Sequence, residues 1–238
     1  MSGHSHAKTI AHAKGIADAK RGAIFSKFGR LIAIAAKDGG DPNINSKLRV
    51  AVEQAKSFNM PKDNIERAIK KGTGELAGEN LEEVSYEGFG PGGIALIMEG
   101  ITDNTNRTLN EVKVILNQNE GKMAGEGAVR WMFDKKGNIT VIPEGKSKED
   151  LEMAAIESGA EDVRWYGDYL EIYTKPEDLE AVRKSLEEKQ IKIDSASLNY
   201  IAKEDVELSE RNKQAAEKLF EALDENDAIN NIYSNIKN

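Results

Sequence analysis

The sequence predicts an α+β protein: an N-terminal helical bundle followed by two mixed α/β domains, one of them a ferredoxin-like unit inserted in the other. Three observations carry this expectation. Apolar residues recur at helical spacing up to Gly72, then give way to strand-length segments after a glycine-bearing linker. Residues 138–201 read strand, helix, strand, strand, helix, strand, which is the split βαβ order. The mixed segment before them lacks a second helix and a last strand, and the tail after them supplies one of each. The expected domains are therefore 1–80, 81–134 with 205–238, and 135–204.

Residues 1–19 are small and polar with weak periodicity, and read as an extended arm or loosely held helix. From Lys20 a helix is expected, with Ile24, Phe25, Phe28, Leu31, Ile32 and Ala35 on one face. Lys20 and Lys27 fall at the border of that face, while Arg30 and Lys37 lie further toward solvent. Gly39-Gly40-Asp41-Pro42 stops it. Asn45 caps a second helix to Phe58, whose stripe is Leu48, Ala51, Val52 and Ala55. Pro61 suits the first turn of a third helix, with Ile65, Ala68 and Ile69 inward and Gly72 as its stop. Residues 72–80 read as a linker.

Strands are expected over 82–89 and 94–100, joined by Gly90-Pro91-Gly92-Gly93, then a helix over 106–118 and a strand over 128–133. The compact unit follows: a strand over 138–142, a helix over 148–158, a hairpin of 163–166 with 169–174, a helix over 176–190 and a strand over 195–201. The tail offers a helix over 209–223 and a short strand over 231–236.

Net charge is −8, but its distribution is uneven. Residues 1–72 hold 14 Lys and Arg against 6 Asp and Glu, a net of +8; the other 166 hold 19 against 35, a net of −16. Such a split suggests a polyanion-facing module on an acidic body. No apolar run approaches the ~18 residues of a membrane span. The polar start shows no signal peptide, and the absence of Cys excludes disulfides and thiol chemistry, so a cytoplasmic protein is expected.

Sequence strings that resemble catalytic or cofactor motifs fail on context. Gly88 to Gly93 matches G-x-G-x-x-G, but a strand follows where a pyrophosphate site needs a helix N-terminus, and Pro91 lacks an amide donor. Gly145-Lys146-Ser147 resembles a P-loop end, but Thr140 stands where its first glycine belongs, so Ser147 reads as a helix cap. Asp103 to Arg107 resembles a calcium loop, but Thr108 replaces the turn glycine and a helix cap is the plainer account. The only histidines are His4, His6 and His12, so none lies in the α/β body to serve as its general base. Neither an enzyme, a cofactor nor a metal is expected, nor is a small-molecule substrate. Trp131, Trp165, Tyr166 and Tyr169 could stack on bases if exposed, although strand aromatics usually pack inward.

The stretch Asn59-Met60-Pro61-Lys62-Asp63-Asn64-Ile65-Glu66-Arg67-Ala68-Ile69-Lys70-Lys71-Gly72-Thr73-Gly74 closely resembles the signature of the YebC/PmpR family. Gly3-His4-Ser5, Lys20-Arg21-Gly22, Gly40-Asp41-Pro42, Tyr86-Glu87-Gly88, Gly90-Pro91-Gly92-Gly93 and Thr102-Asp103-Asn104 resemble further family motifs in order. The resemblance implies three domains, one inserted in another. It also implies either a DNA-binding transcriptional regulator or, as for a mitochondrial relative, a translation factor at the ribosome. The arm departs from the pattern: His6-Ala7 replaces Lys-Trp, and Ala11, Ala13 and Ala23 stand at positions often basic in the family. The partner expected is thus nucleic acid, as DNA or as ribosomal RNA, with no membrane. The expected contacts are Lys20, Arg21, Lys27, Arg30, Lys47, Arg49, Lys62, Arg67, Lys70 and Lys71.

Overall fold

The computed structural model describes residues 18–237, with side chains from Arg21 onward. It contains an N-terminal helical region and two antiparallel four-stranded sheets. The chain divides into two compact units, one running to Met132 and resuming at Ala202, the other Phe133–Ile201.

In the first unit, helices α1 (Asp18–Ala35), α2 (Ser46–Ser57) and α3 (Lys62–Thr73) enclose one core. It holds Ile32, Leu48, Ala51, Val52, Ala55, Met60, Ile65 and Ala68, with Phe25, Phe28 and Ile69 at its edge. The Asn45 side chain accepts from the Leu48 amide at 3.0 Å, the cap its position leads one to expect. Two expectations shift at α3. Pro61 is the extended residue before the helix, not within its first turn, and its carbonyl accepts from the Asn64 and Ile65 amides. Gly72 does not stop the helix either. It lies inside α3, which ends at Gly74 in the left-handed conformation (φ 83°). Gly72 is small for a different reason: a Cβ there would stand 2.2 Å from the Ala33 carbonyl oxygen of α1.

The first sheet has strands β1 (Glu82–Phe89), β2 (Ala95–Thr102), β3 (Lys122–Met123) and β8 (Ile229–Ser234), in the order β3-β1-β2-β8. Its β1–β2 hairpin turns through Pro91–Gly93, closed by the Gly93 amide on the Gly90 carbonyl and the Gly90 amide on the Ile94 carbonyl. The G-x-G-x-x-G string is thus a hairpin turn. One sheet face packs helices α4 (Thr105–Gln118) and α7 (Glu210–Asp224) around Leu96, Met98, Val112, Leu116, Leu219 and Ile232. The tail therefore completes this sheet, because β8 pairs antiparallel with β2.

Helix α1 has a second apolar side. Ala33, with Leu31 and Ile34 alongside, packs on Leu81 and Ile101 of the sheet region. The unbroken apolar run Leu31 to Ala36 is the sequence sign of this, since a helix apolar on more than one face is covered on more than one face.

The second unit has strands β4 (Phe133–Val141), β5 (Asp162–Tyr166), β6 (Tyr169–Thr174) and β7 (Ile193–Ala202), with helices α5 (Lys148–Glu157) and α6 (Leu179–Glu188). The order β5-β6-β4-β7 with βαββαβ connectivity is the ferredoxin-like arrangement. Ile139, Val141, Leu170 and Ile172 pack with Leu151, Ala155, Val182 and Leu186. Strand alternation turns Asn138 and Glu171 to the other face, where the Asn138 amide and the Tyr173 hydroxyl donate to the Glu171 carboxylate. Ser147 caps α5 by accepting from the Asp150 amide at 3.1 Å.

The strand expected over 128–133 is a turn, and β4 begins only at Phe133. Its cause is Glu87 on β1, only 4% exposed, whose carboxylate accepts from the amides of Gly127, Val129 and Arg130 at 2.8–3.1 Å. Those amides are taken by a side chain, so they cannot join a sheet ladder. Burial pushes this carboxyl up, but the three amides and the Arg130 guanidinium outweigh it and hold it below its ordinary range. The Glu87 contribution is therefore present at neutral pH and lost as pH falls through that lowered value. Glu87→Gln turns an amide donor toward these donors, and we expect a loss of about 3 kcal/mol. Urea unfolding at pH 7 and at pH 3 checks this: the gap between wild type and variant shrinks in acid.

Candidate nucleic-acid interface

The helical bundle sorts its cations by what each helix packs against. On α3 the buried Ile65 and Ala68 fix the inward side, so Lys62, Arg67, Lys70 and Lys71 are exposed on the rest of the surface. At 100° per residue Lys70, Arg67 and Lys71 share one arc of the helix, with Asp63 among them. Lys62 stands apart and meets Glu66 at 3.4 Å. Lys70 and Lys71 also sit in the last turn, where the helix dipole favours positive charge.

On α2, Lys47 is exposed and meets Asp38 at 3.8 Å, a solvent-facing pair of little strength. Arg49 is half-buried and already engaged in an interaction of its own, as is the exposed Arg21 on α1. Lys20 lies in the helical backbone of α1, but its side chain falls outside the described residues, as do His4, His6 and His12.

Lys27 and Arg30 are placed differently from a solvent-facing contact. The Lys27 side chain is only 13% exposed, and its ammonium meets the Asp224 carboxylate at 3.3 Å and also donates to the Asp224 carbonyl. Arg30 donates to the Asp227 carbonyl at 2.7 Å. Both cations thus satisfy carbonyls at and just beyond the C-terminus of α7, which lack helical partners. Burial lowers the Lys27 pKa, and Asp224 offsets part of that. The sequence signal for this was the acidic end of the tail helix, Asp224-Glu225-Asn226-Asp227. Asp224→Ala should cost about 1–3 kcal/mol, because it leaves a buried ammonium with less to hold it. Lys27→Met should cost less, because it removes the charge and keeps the packed stem. Thermal unfolding of the two variants checks the order.

Lys37 donates to the Leu81 carbonyl at 2.6 Å and so ties the end of α1 to the start of the sheet region. Asn104 caps α4 by accepting from the Arg107 amide at 3.0 Å, so the oxygen-rich Asp103–Arg107 stretch is a helix start. Among the described residues, no three His, Cys, Asp or Glu side chains gather as a metal site needs, and no helix is long and apolar enough to cross a membrane.

The aromatic expectation divides. Trp165 is half-buried, with its indole N–H on Glu152 and the Lys148 ammonium over its ring. Tyr166 and Tyr169 are half-buried neighbours. Trp131 is 65% exposed, because it stands on the turn that Glu87 holds and not on a strand.

A basic three-helix bundle joined to two antiparallel α/β sheets defines the class, and the chain belongs to the TACO1/YebC family. Residues 5–75 match the model of the TACO1/YebC protein N-terminal domain, and residues 81–236 match that of the TACO1/YebC second and third domain. A probable transcriptional regulatory protein of Dehalococcoides mccartyi is 48% identical over 236 residues, covering 99% of this chain and 94% of its own length. Another from Thermoanaerobacter pseudethanolicus is 47% identical over 239 residues, with 100% and 97% covered. The crystal structure of a conserved hypothetical protein from Aquifex aeolicus superimposes with a TM-score of 0.88 at 42% identity, covering 98% of this chain and 97% of that one.

Proposed function

We propose that this protein is a non-catalytic regulator of gene expression that binds nucleic acid through its helical bundle. The observation that carries the reading is the exposed set Lys62, Arg67, Lys70 and Lys71 on α3, within a segment of net +8 on an otherwise acidic chain. Arg21, Lys47 and Arg49, with Lys20, would extend these phosphate contacts. Lys27 and Arg30 would instead hold α1 to the acidic end of α7. A cytoplasmic site of action fits the cysteine-free sequence.

The relatives named as probable transcriptional regulatory proteins favour duplex DNA as the target. One observation favours structured RNA, and so a translation factor. Base-reading helices present Arg, Asn or Gln to base edges, but Asn64 is half-buried and only Arg67 on α3 is fully presented. Recognition would then rest on shape and charge, as for folded RNA.

Competition separates the two. Purified protein is offered ribosomes and promoter-length duplex DNA together at near-physiological salt. Site-selective retention on DNA supports the transcriptional reading, and partition onto ribosomes supports translation. Retention on neither would end the nucleic-acid reading.

A further inference from the structure

We propose that Trp131 is a stacking platform for an unpaired base of a single-stranded nucleic acid, a contact separate from the phosphate contacts of α3. The inference rests on the nucleic-acid reading above and adds to it a second site in the sheet region. A single exposed apolar side chain is ordinary on a protein surface. Trp131 is unusual in being both 65% exposed and held from below. Its turn is fixed by the buried Glu87 carboxylate, which accepts the amides of Gly127, Val129 and Arg130. Val129, two residues before it, is fully buried and anchors the same turn. The indole N–H is itself satisfied by the Ala128 carbonyl at 3.0 Å. What Trp131 offers a ligand is therefore its π-face and no donor, the chemistry that suits a base of any sequence.

The surroundings favour a base over a protein partner. Protein hot spots place tryptophan inside a wider apolar patch that excludes water. Along the chain, the exposed residues that lead to Trp131 are polar or small, Gly125, Glu126, Gly127, Ala128 and Arg130, while the apolar Val129 is buried and Met132 half-buried. Arg130, the residue before Trp131, donates to the Ser85 hydroxyl at 2.7 Å and pairs with Glu87 at 3.5 Å, and its side chain keeps 43% exposure, enough to meet a phosphate. A ring fixed in advance loses little side-chain entropy when a base settles on it.

The test uses the full chain carrying Trp165→Phe, so that Trp131 is the sole tryptophan. A fluorescein-labelled 12-nucleotide single strand, as RNA and as DNA, is titrated at low salt, with a 12-base-pair duplex as control. Anisotropy reports binding and indole emission reports stacking. The expected result is strong quenching by the single strands and little by the duplex, with Trp131→Ala weakening single-strand binding roughly tenfold and duplex binding little. Trp131→Phe should recover part of that loss. The same titration on Trp131→Phe with Trp165 intact reads the Trp165 signal alone, so the comparison does not depend on one variant folding. If anisotropy shows binding while Trp131 emission stays constant and Trp131→Ala binds equally well, the stacking site is refuted and the α3 reading survives. If no oligonucleotide binds, both fall together.

Discussion

Changing Lys62, Arg67, Lys70 and Lys71 together to glutamate will remove most of the affinity for polyanions and leave the fold intact. All four side chains are exposed, and none belongs to the bundle core of Ile32, Leu48, Val52 and Ile65. Each phosphate contact releases condensed counterions, so losing four should flatten the dependence of log K on log salt by about 3.6 for duplex DNA. Binding should fall by roughly a hundredfold or more at 50 mM salt, beyond the effect of the flatter slope, because reversed charges also repel the backbone. Gel shift or anisotropy measures it, and circular dichroism confirms that the helices persist. The matching reversal of Lys27 and Arg30 is a different experiment. It would place carboxylates against the Asp224 carboxylate and the carbonyls of α7, breaking a contact inside the protein. A loss of binding there would report on the helix attachment and not on phosphate contact.

Gly72→Ala will destabilise the protein, against the usual sign for such a change. Within a helix, alanine is favoured over glycine by about 1 kcal/mol. At Gly72 the added methyl would meet the Ala33 carbonyl oxygen at 2.2 Å and the Ala36 methyl at 2.7 Å. Neither neighbour can swing aside, because one is helix backbone and the other a buried side chain without rotamers. The two helices must separate, and overpacking of this kind costs about 1–3 kcal/mol. Since Ala33 also touches Leu81 and Ile101, the displacement of α1 should loosen its hold on the sheet region. A lowered midpoint in thermal unfolding is the readout, and an unchanged or raised one would mean that α1 and α3 do not approach so closely.

The helices and the ferredoxin-like unit were legible because their signals are local. The stripe of α2 and the caps at Asn45 and Ser147 each need only a few neighbouring residues. The tail's role was legible by elimination, since the first sheet lacked a strand that only the tail could supply. What escaped the sequence depends on residues far apart along the chain. Nothing near Glu87 says that it accepts amides some 40 positions later, and without that the turn before Phe133 reads as strand. The same turn is why Trp131 is exposed when a strand aromatic would pack inward. Lys27, at the border of the apolar face, reads as a nucleic-acid contact because its partner, Asp224, lies 197 residues away. Gly72 sat where a helix stop belongs, and its close approach to Ala33 depends on the crossing of two helices. The α3 cations were legible as exposed charge, because amphipathic spacing decides which side of a short helix faces water.

The salt dependence of binding to a 20-base-pair duplex tests the central claim most directly. If the α3 cations bind polyanions, log K for the wild type will fall against log salt with a slope of about −3.6 or steeper, and the slope of the four-glutamate variant will be flatter by about 3.6. A wild-type slope near zero, or a variant that keeps the wild-type slope, would contradict the assignment of this helix as the nucleic-acid face.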